Sequence, residues 1–138
     1  MIKNKQIAAL VSCSLMAITL TSCGAEKADT TAMTSALPGE TKYSTVVDLK
    51  NALVAAGLPC TDWKQTDQVT LAASSGECDP VTVLSVYTSD SSKEQVIQNL
   101  KKLTADYGGH LVSGENWLLN TPDAEEWAEK LGGMPITW

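Results

Sequence analysis

The stretch VTVLSVYTSDSSKEQVIQNLKKLTADYGG, residues 81–109, joins the two clearest predicted elements of this 138-residue chain. Residues 81–87 are almost continuously apolar and β-branched, which predicts a central strand covered on both faces. A helix-capping box, in which a serine precedes Glu or Gln by three residues, follows at Ser91 or Ser92 with Glu94 or Gln95. The helix stripe then recurs at Val96, Leu100, Leu103 and Tyr107. Gly108-Gly109 is placed to end this helix.

One helix and one strand are predicted before this stretch. Ser44 can cap a helix that Gly57 ends. The apolar stripe of that helix consists of Val46, Leu49, Leu53 and Ala56. Residues 69–73 alternate between apolar and smaller or polar side chains, as in a half-buried strand, and residues 74–76 have turn composition.

A hairpin and a third helix are predicted after it. Apolar stretches at 110–112 and 117–119 flank the turn residues 113–116. Thr121-Pro122-Asp123 opens the helix with a cap, a proline in the first position and an acid in the first turn. The helix stripe is Ala124, Trp127, Ala128 and Leu131, followed by Gly132-Gly133. Residues 134–138 leave room for one more strand.

The predicted order of elements is helix, strand, strand, helix, strand, strand, helix, within a globular domain at residues 43–138. Hairpins build antiparallel sheets, and helices with one apolar stripe cover one face of such a sheet. We therefore expect the α+β class, as a two-layer sandwich with three helices and an antiparallel sheet of about four strands.

The N-terminus has the pattern of an export signal. Lys3 and Lys5 precede an apolar run at residues 7–20, which is too short for a permanent membrane span. The run ends in Leu20-Thr21-Ser22-Cys23-Gly24, which resembles the lipobox of bacterial lipoprotein precursors. The resemblance implies that residues 1–22 are removed as a signal peptide and that Cys23 carries diacylglycerol, often with a further acyl chain such as palmitate. The alternative is an ordinary secretory signal with a chance cysteine at position 23.

Four cysteines fit this interpretation. Cys13 lies in the segment to be removed and Cys23 would be used by the anchor, so Cys60 and Cys78 remain as one pair. A cysteine pair in a small exported domain is usually a disulfide. Free or metal-binding thiols are the alternative, although no Cys-x-x-Cys spacing and no neighbouring histidine accompany them.

The segment from Cys23 to Lys42 is rich in Thr, Ala, Ser and charged residues. Such composition cannot bury enough apolar surface to offset the entropy of ordering, so we expect a flexible tether at 23–42. The chain from Cys23 onward has eight lysines and sixteen acids, a net charge of −8. Anionic lipid should repel it, which leaves the acyl chains as the expected contact with the membrane.

Composition also limits the chemistry. The chain has no arginine and a formal net charge of −6, which argues against nucleic-acid binding. His110 is the only histidine, and Ser113, three residues away, should point to the opposite face of a strand. The acids of the third helix have the positions of helix-stabilising residues: Asp123, Glu125, Glu126 and Glu129. We therefore expect no enzyme activity, no cofactor and no metal.

Two tryptophans could mark a binding surface. Trp63 lies in a loop beside Cys60, and Trp138 ends the chain. An exposed tryptophan can stack on a sugar ring or anchor a partner protein. Packing of Trp63 over a disulfide is an equally good interpretation.

The mature region resembles small bacterial surface lipoproteins of unknown function. The shared features are a Gly-x-x-Cys segment at 57–60 with Trp63, a second cysteine at Cys78, a Gly-x-Asn-Trp turn at 114–117 and Leu-Gly-Gly at 131–133. No activity comes with this resemblance, so it bears only on architecture.

The expected function is a lipid-anchored, extracytoplasmic, non-enzymatic domain that binds a surface protein or an envelope component. One alternative is an accessory protein that binds or acts on cell-wall glycan, with Trp63 as platform and Asp62 or Glu77 in support. A second alternative is a phage or prophage lipoprotein that excludes superinfecting phage.

Overall fold

A computed structural model describes residues 36–138 of the chain. The predicted signal peptide, the predicted lipidation site Cys23 and the predicted tether up to residue 35 lie outside the described residues. A 3-10 helix at Pro38–Glu40 precedes three α-helices, α1 Val46–Ala55, α2 Asp90–Leu103 and α3 Ala124–Leu131. The strands are β1 Lys64–Gln65, β2 Ser74–Asp79, β3 Thr82–Val86, β4 His110–Ser113, β5 Trp117–Asn120 and β6 Met134–Thr137.

All six strands belong to one antiparallel sheet with the order β1-β2-β3-β5-β4-β6. The predicted α+β class is confirmed, but the prediction of about four strands and of the element order is wrong. Strand β6 pairs with β4 at one edge, and β1 pairs with β2 at the other. Strand β1 has only two residues, too few to produce a recognisable hydrophobic alternation.

The helices lie on both faces of the sheet, so the predicted two-layer arrangement is replaced by three layers. Along β3, Leu84 and Val86 belong to one hydrophobic core, whereas Tyr87 at its end belongs to another. Successive side chains of a strand point to opposite faces, so these two cores lie on opposite sides of the sheet. The first core receives α1 and α3, and the second receives α2.

The first face carries the larger core. Its buried helical members are most of the predicted stripes of α1 and α3: Val46, Leu49 and Leu53 with Ala124, Trp127, Ala128 and Leu131. Ala56, the fourth predicted stripe residue of α1, is the C-cap and is only partly buried. Opposite them, the sheet contributes Leu84, Val86, Val112, Trp117 and Leu119. Because the chain has no phenylalanine, Trp117 and Trp127 supply the aromatic bulk of this core.

The prediction for residues 69–76 is reversed in the structure. Residues 69–73 do not form a strand, since Leu71 has φ 68° and is exposed. The predicted turn at 74–76 is instead the start of β2. Its small side chains fit their surroundings: Ser75 Oγ accepts from the Val69 N–H at 3.1 Å, and Gly76 lies against the Trp63 ring, where a Cβ atom would overlap.

The helix ends differ by a few residues from the sequence prediction. Thr45 and Ser89 are the N-caps of α1 and α2, and α3 begins after Asp123. The hairpin of β4 and β5 is confirmed. The predicted stripe of α2 is only half right, because Leu103 and Tyr107 are 78% and 91% exposed.

The folded region begins before the predicted boundary at residue 43. Trp117 Nε1 donates a hydrogen bond to the Pro38 carbonyl at 3.0 Å, and the Glu115 N–H donates to the Gly39 carbonyl at 2.8 Å. Gly39 is buried against the backbone of Gly132, where a Cβ atom would overlap. Residues 37–40 are therefore part of the domain rather than of the tether.

Cys60 and Cys78 form a disulfide, with Cα atoms 4.6 Å apart. Cys60 lies in the loop after α1, and Cys78 lies near the end of β2 rather than in a turn between strands. The bond joins α1 to the sheet at the edge of the first core. Within residues 36–138, no helix has both the length and the apolar character needed to cross a membrane.

Candidate functional site

A cavity of about 240 Å³ lies between α2 and the second face of the sheet. We call it the α2 cavity. Six apolar residues line it: Val69, Val83, Val96, Leu100, Leu111 and Leu118. Three of these, Val96, Leu111 and Leu118, are buried, and the other three are partly buried, so the space is a cleft that extends from the core to the surface.

Three polar residues also line the α2 cavity, and none is charged. Ser85 Oγ and Tyr87 Oη lie 2.8 Å apart and form a buried hydrogen bond. Asn120 is the third and is exposed at the end of β5. Burial raises the pKa of the Tyr87 hydroxyl above its ordinary value of 10.0, although the hydrogen bond to Ser85 opposes the shift. Tyr87 is therefore neutral at physiological pH.

Polar contacts hold α2 at both ends of the cavity. Near its first turn, Lys93 Nζ donates to the carbonyl oxygens of Gly114 at 2.7 Å and Glu115 at 2.9 Å. At its C-cap, Thr104 Oγ1 accepts a hydrogen bond from Trp138 Nε1 at 3.0 Å. The helix thus spans the cavity with its ends tied to the β4–β5 turn and to the C-terminus.

Trp138, one of the two predicted binding residues, forms the wall at one end of this region. Its indole lies against Gly109, where a Cβ atom would overlap the ring. A smaller space of about 100 Å³ beside it shares Leu100, Leu111 and Asn120 with the α2 cavity. Lys101 Nζ stands 5.8 Å from the Trp138 ring centroid on the outer side. Trp138 therefore lines the space that adjoins the α2 cavity, and it does not line the cavity itself.

Trp63, the other predicted binding residue, lies elsewhere. It is half-buried, packs against the first core near Cys60 and covers Gly76. The Trp63 ring packs over the edge of the sheet. The structure does not bring Trp63 and Trp138 into one surface, because they belong to cores on opposite faces.

His110 lies at the start of β4 and is exposed. The structure places it beside three acids of the α3 region, Asp123, Glu125 and Glu126, around an open groove. All four side chains are solvated. Within residues 36–138, no group of three or more His, Cys, Asp or Glu residues is arranged to hold a metal ion.

A second open cleft lies beside Asn116, whose side chain hydrogen-bonds to three backbone groups. Its amide contacts the N–H and the carbonyl of Tyr43 and the carbonyl of Tyr87. Partial burial raises the pKa of the Tyr43 hydroxyl, and a hydrogen bond with Thr41 opposes the shift. This arrangement joins segments of the fold and uses both N–H donors of the Asn116 side chain.

Asp79, next to Cys78 in the chain, has a structural role. Its Oδ1 accepts hydrogen bonds from the N–H groups of Val81 at 2.8 Å and Thr82 at 2.9 Å. These bonds, led by that from Val81, lower the pKa of the Asp79 carboxyl. Asp79 therefore stabilises the turn between β2 and β3.

The sequence predicted the apolar wall of the α2 cavity only as core. One sequence feature could have indicated the cavity. Ser85 places a hydroxyl group in a mostly apolar strand, on the same face as Tyr87. No protein-family model, curated protein or solved structure matches this chain. We therefore infer function from the residues of the chain itself.

Proposed function

We propose that this chain is a bacterial lipoprotein, anchored through acyl chains on Cys23 to the extracytoplasmic face of the cell membrane, whose domain binds a ligand and is not an enzyme. The resemblance of the mature region to small bacterial surface lipoproteins is part of the same proposal. Membrane attachment is expected through the lipid, and the domain is left to bind a molecule or partner of the envelope.

The anchoring part of the proposal is supported by the Leu20-Thr21-Ser22-Cys23 sequence. A single acyl chain gives only marginal membrane binding, whereas two or three hold a protein for practical purposes. The Cys60–Cys78 disulfide adds support, because such bonds persist mainly in oxidising compartments outside the cytoplasm.

The α2 cavity is the single observation that carries the binding role. Apolar side chains dominate its wall, and the polar residues Ser85, Tyr87 and Asn120 carry no charge. Acid–base catalysis needs a group that titrates near the working pH, and this wall offers none. A largely apolar cleft with a few uncharged polar groups is typical of small-molecule binding sites. Neither the glycan nor the phage-exclusion alternative is favoured by a feature of residues 36–138.

The anchor is tested by comparing Cys23→Ala with Cys13→Ala in the producing bacterium. We expect Cys23→Ala to incorporate no radiolabelled palmitate. The variant should also be released from the membrane, because its N-terminus carries no acyl chains. Cys13→Ala should retain both, because residue 13 lies in the removed leader. Mass spectrometry of the purified protein should find diacylglycerol on residue 23 as the first residue. An unmodified Cys23 in the finished chain would contradict the anchor.

A further inference from the structure

We propose that the α2 cavity binds a small, uncharged, apolar molecule of about ten non-hydrogen atoms with at most one polar group. This inference rests on the binding role proposed above and names its ligand class. It does not depend on the anchor, because every residue that lines the cavity belongs to the folded domain.

The volume sets the size of the ligand. A cavity of roughly 150 Å³ lined by aliphatic side chains accommodates benzene. The α2 cavity has about 240 Å³, with the adjoining space of about 100 Å³ beside Trp138. By proportion, a bicyclic ring of about ten non-hydrogen atoms fills the main cavity.

The lining sets the chemistry. A buried ionised group would have no counter-charge on the wall, so a charged ligand is disfavoured. Ser85 and Tyr87 satisfy one another through a single hydrogen bond, in which either hydroxyl is the donor. When Ser85 donates, the Tyr87 O–H is free to donate to a ligand atom, and when Tyr87 donates, the Ser85 O–H is free. One polar group on the ligand can therefore be accommodated.

Two large apolar side chains close to the cavity in the sequence do not fill it. An empty apolar cavity costs stability because its walls lose dispersion contacts. Leu103 is the last residue of α2 and Tyr107 follows the helix, and neither side chain lines the cavity. Both instead lie in solvent, 78% and 91% exposed.

The two ends of α2 explain how the cavity stays open. Lys93 at one end and the Thr104–Trp138 hydrogen bond at the other tie the helix to the rest of the fold. Between them, the contact of α2 with the second core is made through Val96, Ile97 and Leu100. The helix is thus held as a cover over the sheet, and its middle part is the lid of the proposed site.

The test uses indole as an uncharged probe and indole-3-carboxylate as its charged counterpart. The full mature chain is purified from the cell fraction in which it is found. If that fraction is the membrane, the protein is reconstituted in nanodiscs. Binding is followed by methyl NMR shifts of Leu111 and Leu118 and by the rise in melting temperature. We expect indole to shift both sets of methyl signals and the carboxylate to bind at least about tenfold more weakly.

Val96→Phe places a ring in the cavity and should weaken indole binding by about tenfold or more. Val81→Phe is the matched control, because Val81 is 57% exposed and does not line the cavity. It should bind indole as tightly as the wild type does when both proteins are measured with the same lipid present.

Val83→Phe is a second filling variant, should Val96→Phe fail to fold. Intermolecular NOEs from indole to the Leu111 and Leu118 methyls in the wild-type chain locate the site without any variant. Absence of methyl shifts at saturating indole would overturn the proposal. So would undiminished binding in a folded filling variant, or equal binding of the carboxylate. Loss of indole binding together with intact acylation of Cys23 would leave the anchor standing, so the two failures are distinguishable.

Discussion

The side-chain amide of Asn116 hydrogen-bonds both backbone groups of Tyr43, 73 positions earlier in the chain. Its Oδ1 accepts from the Tyr43 N–H at 2.9 Å, and its Nδ2 donates to the Tyr43 carbonyl at 2.9 Å. The same Nδ2 donates to the Tyr87 carbonyl at 3.1 Å. One side chain thus joins the approach to α1, the residue after β3 and the turn before β5.

Asn116→Ala should lower the free energy of unfolding by about 2 kcal/mol, because it leaves part-buried backbone groups of Tyr43 and Tyr87 without partners. Urea unfolding followed by tryptophan fluorescence measures the change. Asn99→Ala, on the exposed face of α2, is the control and should not destabilise the protein. Equal stability of Asn116→Ala and the wild type would show that water replaces these hydrogen bonds at no cost.

The disulfide should contribute roughly 3 kcal/mol to stability, since it closes a loop between residues separated by 18 positions. The double variant Cys60→Ala/Cys78→Ala should therefore unfold at lower denaturant concentration than the oxidised wild type. Reduced wild type should unfold close to the double variant. Thiol labelling of the denatured, unreduced mature chain should modify neither cysteine. Ready labelling of either residue would show that the bond is not formed in the cell.

Tyr87 should make stability fall at high pH. Burial raises the pKa of its hydroxyl in the folded state above the ordinary value of 10.0, so the folded protein holds the proton more tightly than the unfolded chain. The contribution is fully present below about pH 10 and is lost as pH rises through the folded-state pKa. Tyr87→Phe should flatten the decline of unfolding free energy above about pH 10.

Tyr107→Phe is the control for this pH dependence, because Tyr107 is 91% exposed. It should keep the wild-type decline. Part of the slope should persist in Tyr87→Phe, since partial burial also raises the pKa of Tyr43. A Tyr87→Phe profile superimposable on that of the wild type would contradict the effect of burial.

Gly39→Ala should release the N-terminal edge of the domain. A methyl group at position 39 overlaps the Gly132 backbone, so the 3-10 helix must move away from α3. Limited proteolysis should then cut within residues 36–42, which are protected in the wild type by the Pro38 and Gly39 hydrogen bonds. Glu40→Ala, at an exposed neighbouring position, should leave the cleavage pattern unchanged. Equal protection of residues 36–42 in Gly39→Ala would contradict the prediction, because it would show that the 3-10 helix accommodates the methyl group without leaving α3.

Local patterns were sufficient to predict several elements. The stripes of α1 and α3, the apolar β3 and the β4–β5 hairpin follow from periodicity and turn chemistry, which depend on neighbouring residues. Strand β2 was missed because its first residues, Ser74–Gly76, carry no hydrophobic alternation. They are small because Trp63 and the 66–69 segment pack on them, and those contacts come from elsewhere in the chain.

Short-range spacing and counting were enough to predict the α+β class and to leave Cys60 and Cys78 as the candidate pair, and they also predict the export signal that ends at Cys23. The side of the sheet on which α2 packs, opposite to α1 and α3, became apparent in the folded structure. An apolar stripe makes a helix pack on a sheet but does not specify which face. The α2 cavity follows from that placement, since its volume depends on side chains from β3, β4, β5 and α2 meeting across the sheet.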